Sequence, residues 1–270
     1  MNKQKRILFY KLLSESIPFL AVLSIVSLPA DPLLLRQSLK TYLIFIFLFI
    51  TWRAVRELFL YYKTEEKVFI SHHISMFFFS LVTLLLLHSL KEQLADSVFH
   101  FLLISLFASA LMKYYEFIGR AVMAVVSNFF YVFLSVFLSF AALGAAINNA
   151  TLTFSFAVTS ISLARYLAAL AFENHITIRG DEGEKFKIRG WVTLYSLALI
   201  SAPVSIIGLV TFAYLPHLYS LIMVLIPLSV PLLSKAKFSD GKNLKTDDFF
   251  IDTSGISLLF IAIIALLGFV

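Results

Sequence analysis

Long apolar runs separated by short polar breaks dominate the chain, and the length of the runs is its most informative feature. They recur at about 9–29, 38–62, 70–90, 97–115, 122–147, 152–172, 191–213, 216–234 and 253–270. Each is close to the roughly 20 residues that carry an α-helix across the hydrocarbon core of a bilayer. The backbone polar groups of such a segment are satisfied internally only in a helix. The pattern therefore predicts an all-α, polytopic membrane protein of nine transmembrane helices. The connections are short, so residues 1–270 read as a single transmembrane domain.

Composition agrees. Hydrophobic residues make up 60% and charged residues 14% of the chain, with a mean hydropathy of +0.91; soluble domains are about a quarter charged. The chain contains no cysteine, which excludes disulfides, thiolate catalysis and cysteine-held metals. A net charge of +6 invites a nucleic-acid reading, but the basic residues sit in particular loops, as membrane topology requires. The start, MNKQKRILFYKLL, is basic and lacks a small-residue cleavage site, so it reads as the cytoplasmic flank of the first helix.

Loop charge sets the expected orientation. With the N-terminus cytoplasmic, that side receives Lys3, Lys5, Arg6, Lys11, Lys63, Lys67, Lys113 and Arg120. It also receives Arg179, Lys185, Lys187, Arg189, Lys235, Lys237, Lys242 and Lys245. The opposite side, which takes the C-terminus, receives only Arg36, Lys40 and Lys91. The sequon Asn149-Ala150-Thr151 then lies outside, too close to the bilayer to be a good glycosylation acceptor. The polar connector after residue 234 reads as a solvated loop near anionic head groups.

Charged side chains inside a bilayer are costly and mark functional candidates. In TWRAVRELFLYY of the second run, Arg53, Arg56 and Glu57 share one helical face, with Tyr61 a turn further on. Lys113, Glu116 and Arg120 close the fourth run, and Arg165 lies in the sixth, two turns before Glu173. All three helices run towards the cytoplasm, so Arg53, Lys113 and Arg165 are expected at similar depth around one chamber. Arg53 and Arg165 are the preferred ligand contacts, each being followed by an apolar turn before its loop. Two structural explanations compete: long basic side chains snorkel to the interface, and Arg56 with Glu57 forms a neutralised pair. The histidines lack zinc-ligand spacing; His88, His100 and His217 read as interfacial.

The layout, together with LISLFASALMKYYEFIGRAVMAVVSNFF and ARYLAALAFENHITIRGDEGEKFKIRGWVTL, resembles the UbiA-type intramembrane prenyltransferase superfamily. Glu182-Gly183-Glu184-Lys185 is similar to the Glu-Gly-Asp-Arg core of that family's second acidic motif. A further Asp of that motif falls on Gly180, with Asp181 displaced by one. The first motif, an Asp-rich run at the end of the second helix, has no counterpart in TWRAVRELFLYYKTEEKV. The resemblance implies a UbiA-like helical bundle that binds an isoprenoid diphosphate, with Mg2+ at Glu182 and Glu184. Arg53, Arg56, Lys113, Arg120, Arg165, Arg179 and Lys185 would be diphosphate contacts, guanidinium groups replacing some of the metal. The polar loop Phe172–Gly190 would close over that site; otherwise its charges only keep it out of the bilayer.

Two functions fit these residues. One is a diverged prenyltransferase that transfers an isoprenoid chain from its diphosphate to an acceptor. The other is a non-catalytic relative that binds an isoprenoid lipid or serves as a subunit of a larger membrane complex. A transporter is the weaker third, because no internal repeat is evident.

Overall fold

The computed structural model describes residues 19, 21–23, 32–64, 70–173, 184–238 and 246–268. Its helices are α1 (Pro32–Thr64), α2 (Ile70–Gln93), α3 (Asp96–Phe117), α4 (Ala121–Ala142), α5 (Asn149–Glu173), α6 (Glu184–Thr211), a 3-10 segment (His217–Val224), α7 (Leu225–Phe238) and α8 (Thr246–Gly268). No strand occurs among the described residues. Seven stretches of these helices are long and apolar enough to cross a membrane: Ile70–Gln93, Asp96–Phe117, Ala121–Ala142, Asn149–Ala171, Gly190–Thr211, His217–Ala236 and Asp248–Leu267. They coincide with the third to ninth apolar runs, and the chain is a multi-pass membrane protein. The first run lies outside the described residues except for positions 19 and 21–23. The second forms most of α1, a helix of 33 residues.

The chain divides into two compact units, residues 28–146 and residues 1–27 with 147–270. In the first, α1 and α2 are antiparallel neighbours: Thr41 near the start of α1 donates to Gln93 Oε1 at the end of α2 at 2.9 Å. Helices α3 and α4 are also antiparallel. Ser105 Oγ lies 3.0 Å from Ser135 Oγ, and further along α3 but further back on α4, Asn128 Nδ2 lies 3.1 Å from Met112 Sδ. Hydroxyls of Ser135 and Ser139 bond to the carbonyls of Tyr131 and Ser135, so they occupy the buried α3–α4 region without stranded polar atoms. Side chains this small let helices approach closely where lipid supplies no hydrophobic drive for association. Trp52 Nε1 ties α1 to the Leu106 carbonyl of α3 at 3.1 Å.

Both ends of the α3–α4 pair close by the same chemistry. At the end of α3, Gly119 N–H donates to Glu116 O and Arg120 N–H to Tyr115 O; at the end of α4, Gly144 and Ala145 repeat this with Ala141 and Phe140. This double bond pattern needs a left-handed residue, which glycine adopts without strain; φ is +73° at Gly119 and +71° at Gly144. A third copy ends α6, but there Ala213 carries the left-handed conformation at φ 57°, with its N–H on Val210 O and that of Tyr214 on Leu209 O. Ala213→Gly is accordingly expected to stabilise the protein by about 1 kcal/mol. An unchanged or lowered thermal unfolding midpoint would contradict this.

In the second unit α5 is the central helix. Of its apolar window 83% is buried, against 6% for α2, and every residue from Ala157 to Ala164 is buried, so α5 has no face left for solvent or lipid there. Helix α6 runs antiparallel to it, with Trp191 Nε1 donating to Leu167 O at 3.1 Å. Helices α6 and α8 run parallel: Trp191 meets Phe249 and, one turn on, Tyr195 OH meets Thr253 Oγ1 at 2.9 Å. The Tyr195 ring stacks on Trp191 at 5.5 Å and touches Phe249 at 5.0 Å. Lys235 on α7 pairs with Asp252 on α8 at 2.7 Å.

The eighth run, expected as one regular span over 216–234, is a 3-10 turn followed by α7. Pro227 explains the break, since it cannot donate to the Met223 carbonyl and its ring crowds that group. At the start of α5, Asn148 Oδ1 accepts from Thr151 N–H at 3.0 Å, while Thr151 Oγ1 accepts from Asn148 N–H at 2.9 Å. This reciprocal cap places the sequon's Asn149 and Thr151 in a helical first turn, with the threonine hydroxyl already engaged.

Candidate functional site

The first unit gathers charged side chains at one end, Arg56, Glu57, Lys113 and Glu116 among them. Helices α1 and α3 each bring their charged final turns there, since α2 reverses the chain between them. On α1, Arg56 and Glu57 are adjacent. On α3, Ser109, Lys113 and Glu116 fall at i, i+4 and i+7 and therefore share a face. Arg56 Nη1 donates to Ser109 Oγ, and Nη2 lies 3.3 Å from Glu57 Oε1. Lys113 Nζ lies 2.8 Å from Glu116 Oε2 and 3.8 Å from Glu57 Oε1. Arg56 and Lys113 thus each face a carboxylate.

Burial grades this cluster. The Arg56 side chain is 6% exposed, that of Lys113 22% and that of Glu57 48%. Arg56 is therefore held inside the unit against Glu57, as the neutralised structural pair expected from the sequence. A guanidinium so placed needs a counter-charge and hydrogen-bond acceptors. Glu57 and Ser109 supply them, although Arg56 Nε remains without an acceptor, as Asn128 Oδ1 remains without a donor.

Glu57 also borders a cleft of about 720 Å³ between α1 and α2, lined by Ala54, Leu58, Leu60, Tyr61, His72, Ser75 and Phe79. Tyr61 and His72 stack face to face, with ring centroids 4.8 Å apart and planes within 18°. Apart from these, Glu57 and Ser75, the walls are apolar. On the face of α2 turned away from the cleft, Ile74, Phe77, Phe78 and Leu81 are exposed.

Of the residues singled out in the sequence, Arg56 and Lys113 are brought together, linked through Glu57. Arg53 lies one turn earlier on α1 and is half-buried. Arg120 is exposed at the turn between α3 and α4. Arg165 is half-buried on α5, in the other unit. Arg179 and Glu182 lie outside the described residues. Glu184 and Lys185 open α6, but their side chains also lie outside them. Among the described residues no group of three or more His, Asp or Glu side chains is placed to hold a metal ion. Glu57 and Glu116 each face a cation, an arrangement that disfavours a second, divalent one.

Sequence reasoning passed over Ser109, Ser75 and the Tyr61–His72 stack. For Ser109 a signal existed in its i, i+4, i+7 relation to Lys113 and Glu116. For the stack none did, because its two rings come from different helices. Comparison of the chain with protein-family models, with curated proteins and with solved structures finds no match.

Proposed function

We propose that this is a UbiA-like membrane protein of nine spans that binds an isoprenoid lipid without transferring its chain. One observation carries the reading: Arg56 and Lys113 are already neutralised by Glu57 and Glu116. Cleavage of an allylic diphosphate builds negative charge on the leaving group, and a catalyst must offer positive charge not otherwise engaged. A balanced cluster beside an apolar cleft suits retention of a lipid head group better than it suits that chemistry. The second reading, a diverged prenyltransferase, is favoured by Glu182-Gly183-Glu184-Lys185, with Arg179 and Lys185 as diphosphate contacts and Mg2+ held at Glu182 and Glu184.

Purified protein given magnesium and geranylgeranyl diphosphate separates the two. The expected result is no release of diphosphate with any acceptor class supplied, together with a rise in the thermal unfolding midpoint when isoprenoid lipids are added, because a ligand that binds the folded state stabilises it. Turnover that falls about 10²-fold in Glu182→Gln or Glu184→Gln would establish the enzyme instead.

The proposal also places the N-terminus in the cytoplasm and the C-terminus opposite, on the strength of the basic loops. In a chain without native cysteine, a single Cys at position 239 is expected to be labelled from the cytoplasmic side only. Labelling from the outside by an impermeant reagent overturns the orientation.

A further inference from the structure

We propose that the first unit binds one structural water molecule between α1, α3 and α4, held by Arg56 Nε, Ser109 Oγ and Asn128 Oδ1. Two buried groups carry the inference. Arg56 is 7% exposed and Asn128 6%, and each keeps one polar atom without a hydrogen-bond partner, a donor in Nε and an acceptor in Oδ1. A polar atom closed off in this way costs more than an ordinary hydrogen bond contributes, so native proteins seldom leave one unmet. Here the two are complementary and belong to one unit.

The helices bring both groups to the same place. Arg56 Nη1 donates to Ser109 Oγ, and Asn128 Nδ2 lies 3.1 Å from Met112 Sδ, so the two side chains are tied to positions one turn apart on α3. A methionine on a helix leans back over the preceding turn, which carries its sulfur, and the carboxamide against it, towards Ser109. Helices α1 and α4 also touch directly, with the rings of Phe49 and Tyr131 5.9 Å apart. Arg56 follows Phe49 by two turns and Asn128 precedes Tyr131 by one, both towards the charged end.

Hydrogen-bond chemistry selects the occupant. Nε can only donate and Oδ1 can only accept, so a bridging species must do both. A cation would meet the guanidinium, and an anion the lone pairs of Oδ1. Water accepts from Nε, donates to Oδ1 and has a second acceptor position for the Ser109 hydroxyl, which itself accepts from Nη1. Three such contacts are typical of a buried water. Arg56 is then engaged at all three nitrogens, by Ser109, by Glu57 and by the water. It fastens α1 to α3 and α4 as an internal tie and not as a ligand contact.

A crystal structure of the full-length protein at a resolution that shows ordered solvent tests this directly. One density peak is expected about 3 Å from both Arg56 Nε and Asn128 Oδ1. A site with no peak overturns the proposal, and so does direct contact of Nε with Oδ1. An anomalous peak at the site in crystals grown with bromide overturns the choice of water in favour of an anion. A double-mutant cycle gives a second, independent measurement. Arg56→Lys keeps a charge opposite Glu57 but lacks the Nε donor, and Asn128→Leu lacks the acceptor at similar size. Read as unfolding equilibrium constants in one detergent, the two losses are expected to be less than multiplicative by about five-fold, the worth of one bridged hydrogen bond. Independent losses overturn the bridge.

Discussion

Tyr195→Ala is expected to destabilise the protein by about 3 kcal/mol, the largest effect of any single substitution considered. The Tyr195 side chain is fully buried. It is stacked on Trp191, in contact with Phe249 and hydrogen-bonded to Thr253 across the α6–α8 contact. Truncation leaves a ring-sized cavity that neither parallel helix can close without shifting its register against the other. In a soluble core the cost would also include transfer from water. Here the comparison is with lipid, so dispersion and cavity terms make up most of it. Tyr195→Phe retains the ring contacts and is expected to cost about 1 kcal/mol, because Thr253 Oγ1 keeps its bond to the Phe249 carbonyl. Thermal unfolding of the two variants in one detergent measures the difference. Equal losses would show that the hydroxyl, and not the ring, joins α6 to α8.

Glu57→Ala is expected to cost about 2 kcal/mol, although Glu57 is half exposed. The loss arises at Arg56, which stays buried with Ser109 as its remaining side-chain partner. Substituting both, Glu57→Ala with Arg56→Met, is expected to recover most of that stability, since an apolar side chain of similar length removes the charge that needed compensation. A Glu57→Ala protein as stable as the parent would show that Lys113 and Glu116 hold this end of α1 and α3 unaided. Failure of the double variant to recover would place the loss in contacts of the Arg56 stem instead.

Much of this architecture is written in hydropathy. Seven apolar runs reappear as helices with ends within a few residues of those expected, because the bilayer requires both a minimum length and internal hydrogen bonding. Of the three residues expected around one chamber, Arg53 and Lys113 lie on α1 and α3 of one unit and Arg165 in the other. Two helices separated by one reversing helix must finish at the same end, but the residues that meet there are Arg56 and Lys113 through Glu57, a pairing that hydropathy does not specify. The break at 217–224 was signalled by proline but not read, since apolar content over that run is continuous.

What the sequence by itself determined is thus which segments are helical, how long they are and at which end their charges fall, all properties that sum along one dimension. Only the tertiary structure decided which charges are neutralised and which surface remains for a ligand. Those outcomes depend on how each helix is rotated about its axis and how closely it packs. A rotation of one residue position, roughly 100°, would turn Ser109 away from Arg56 while leaving every hydropathy value unchanged. Packing of small residues between α3 and α4 settles that rotation, and with it the burial of Arg56.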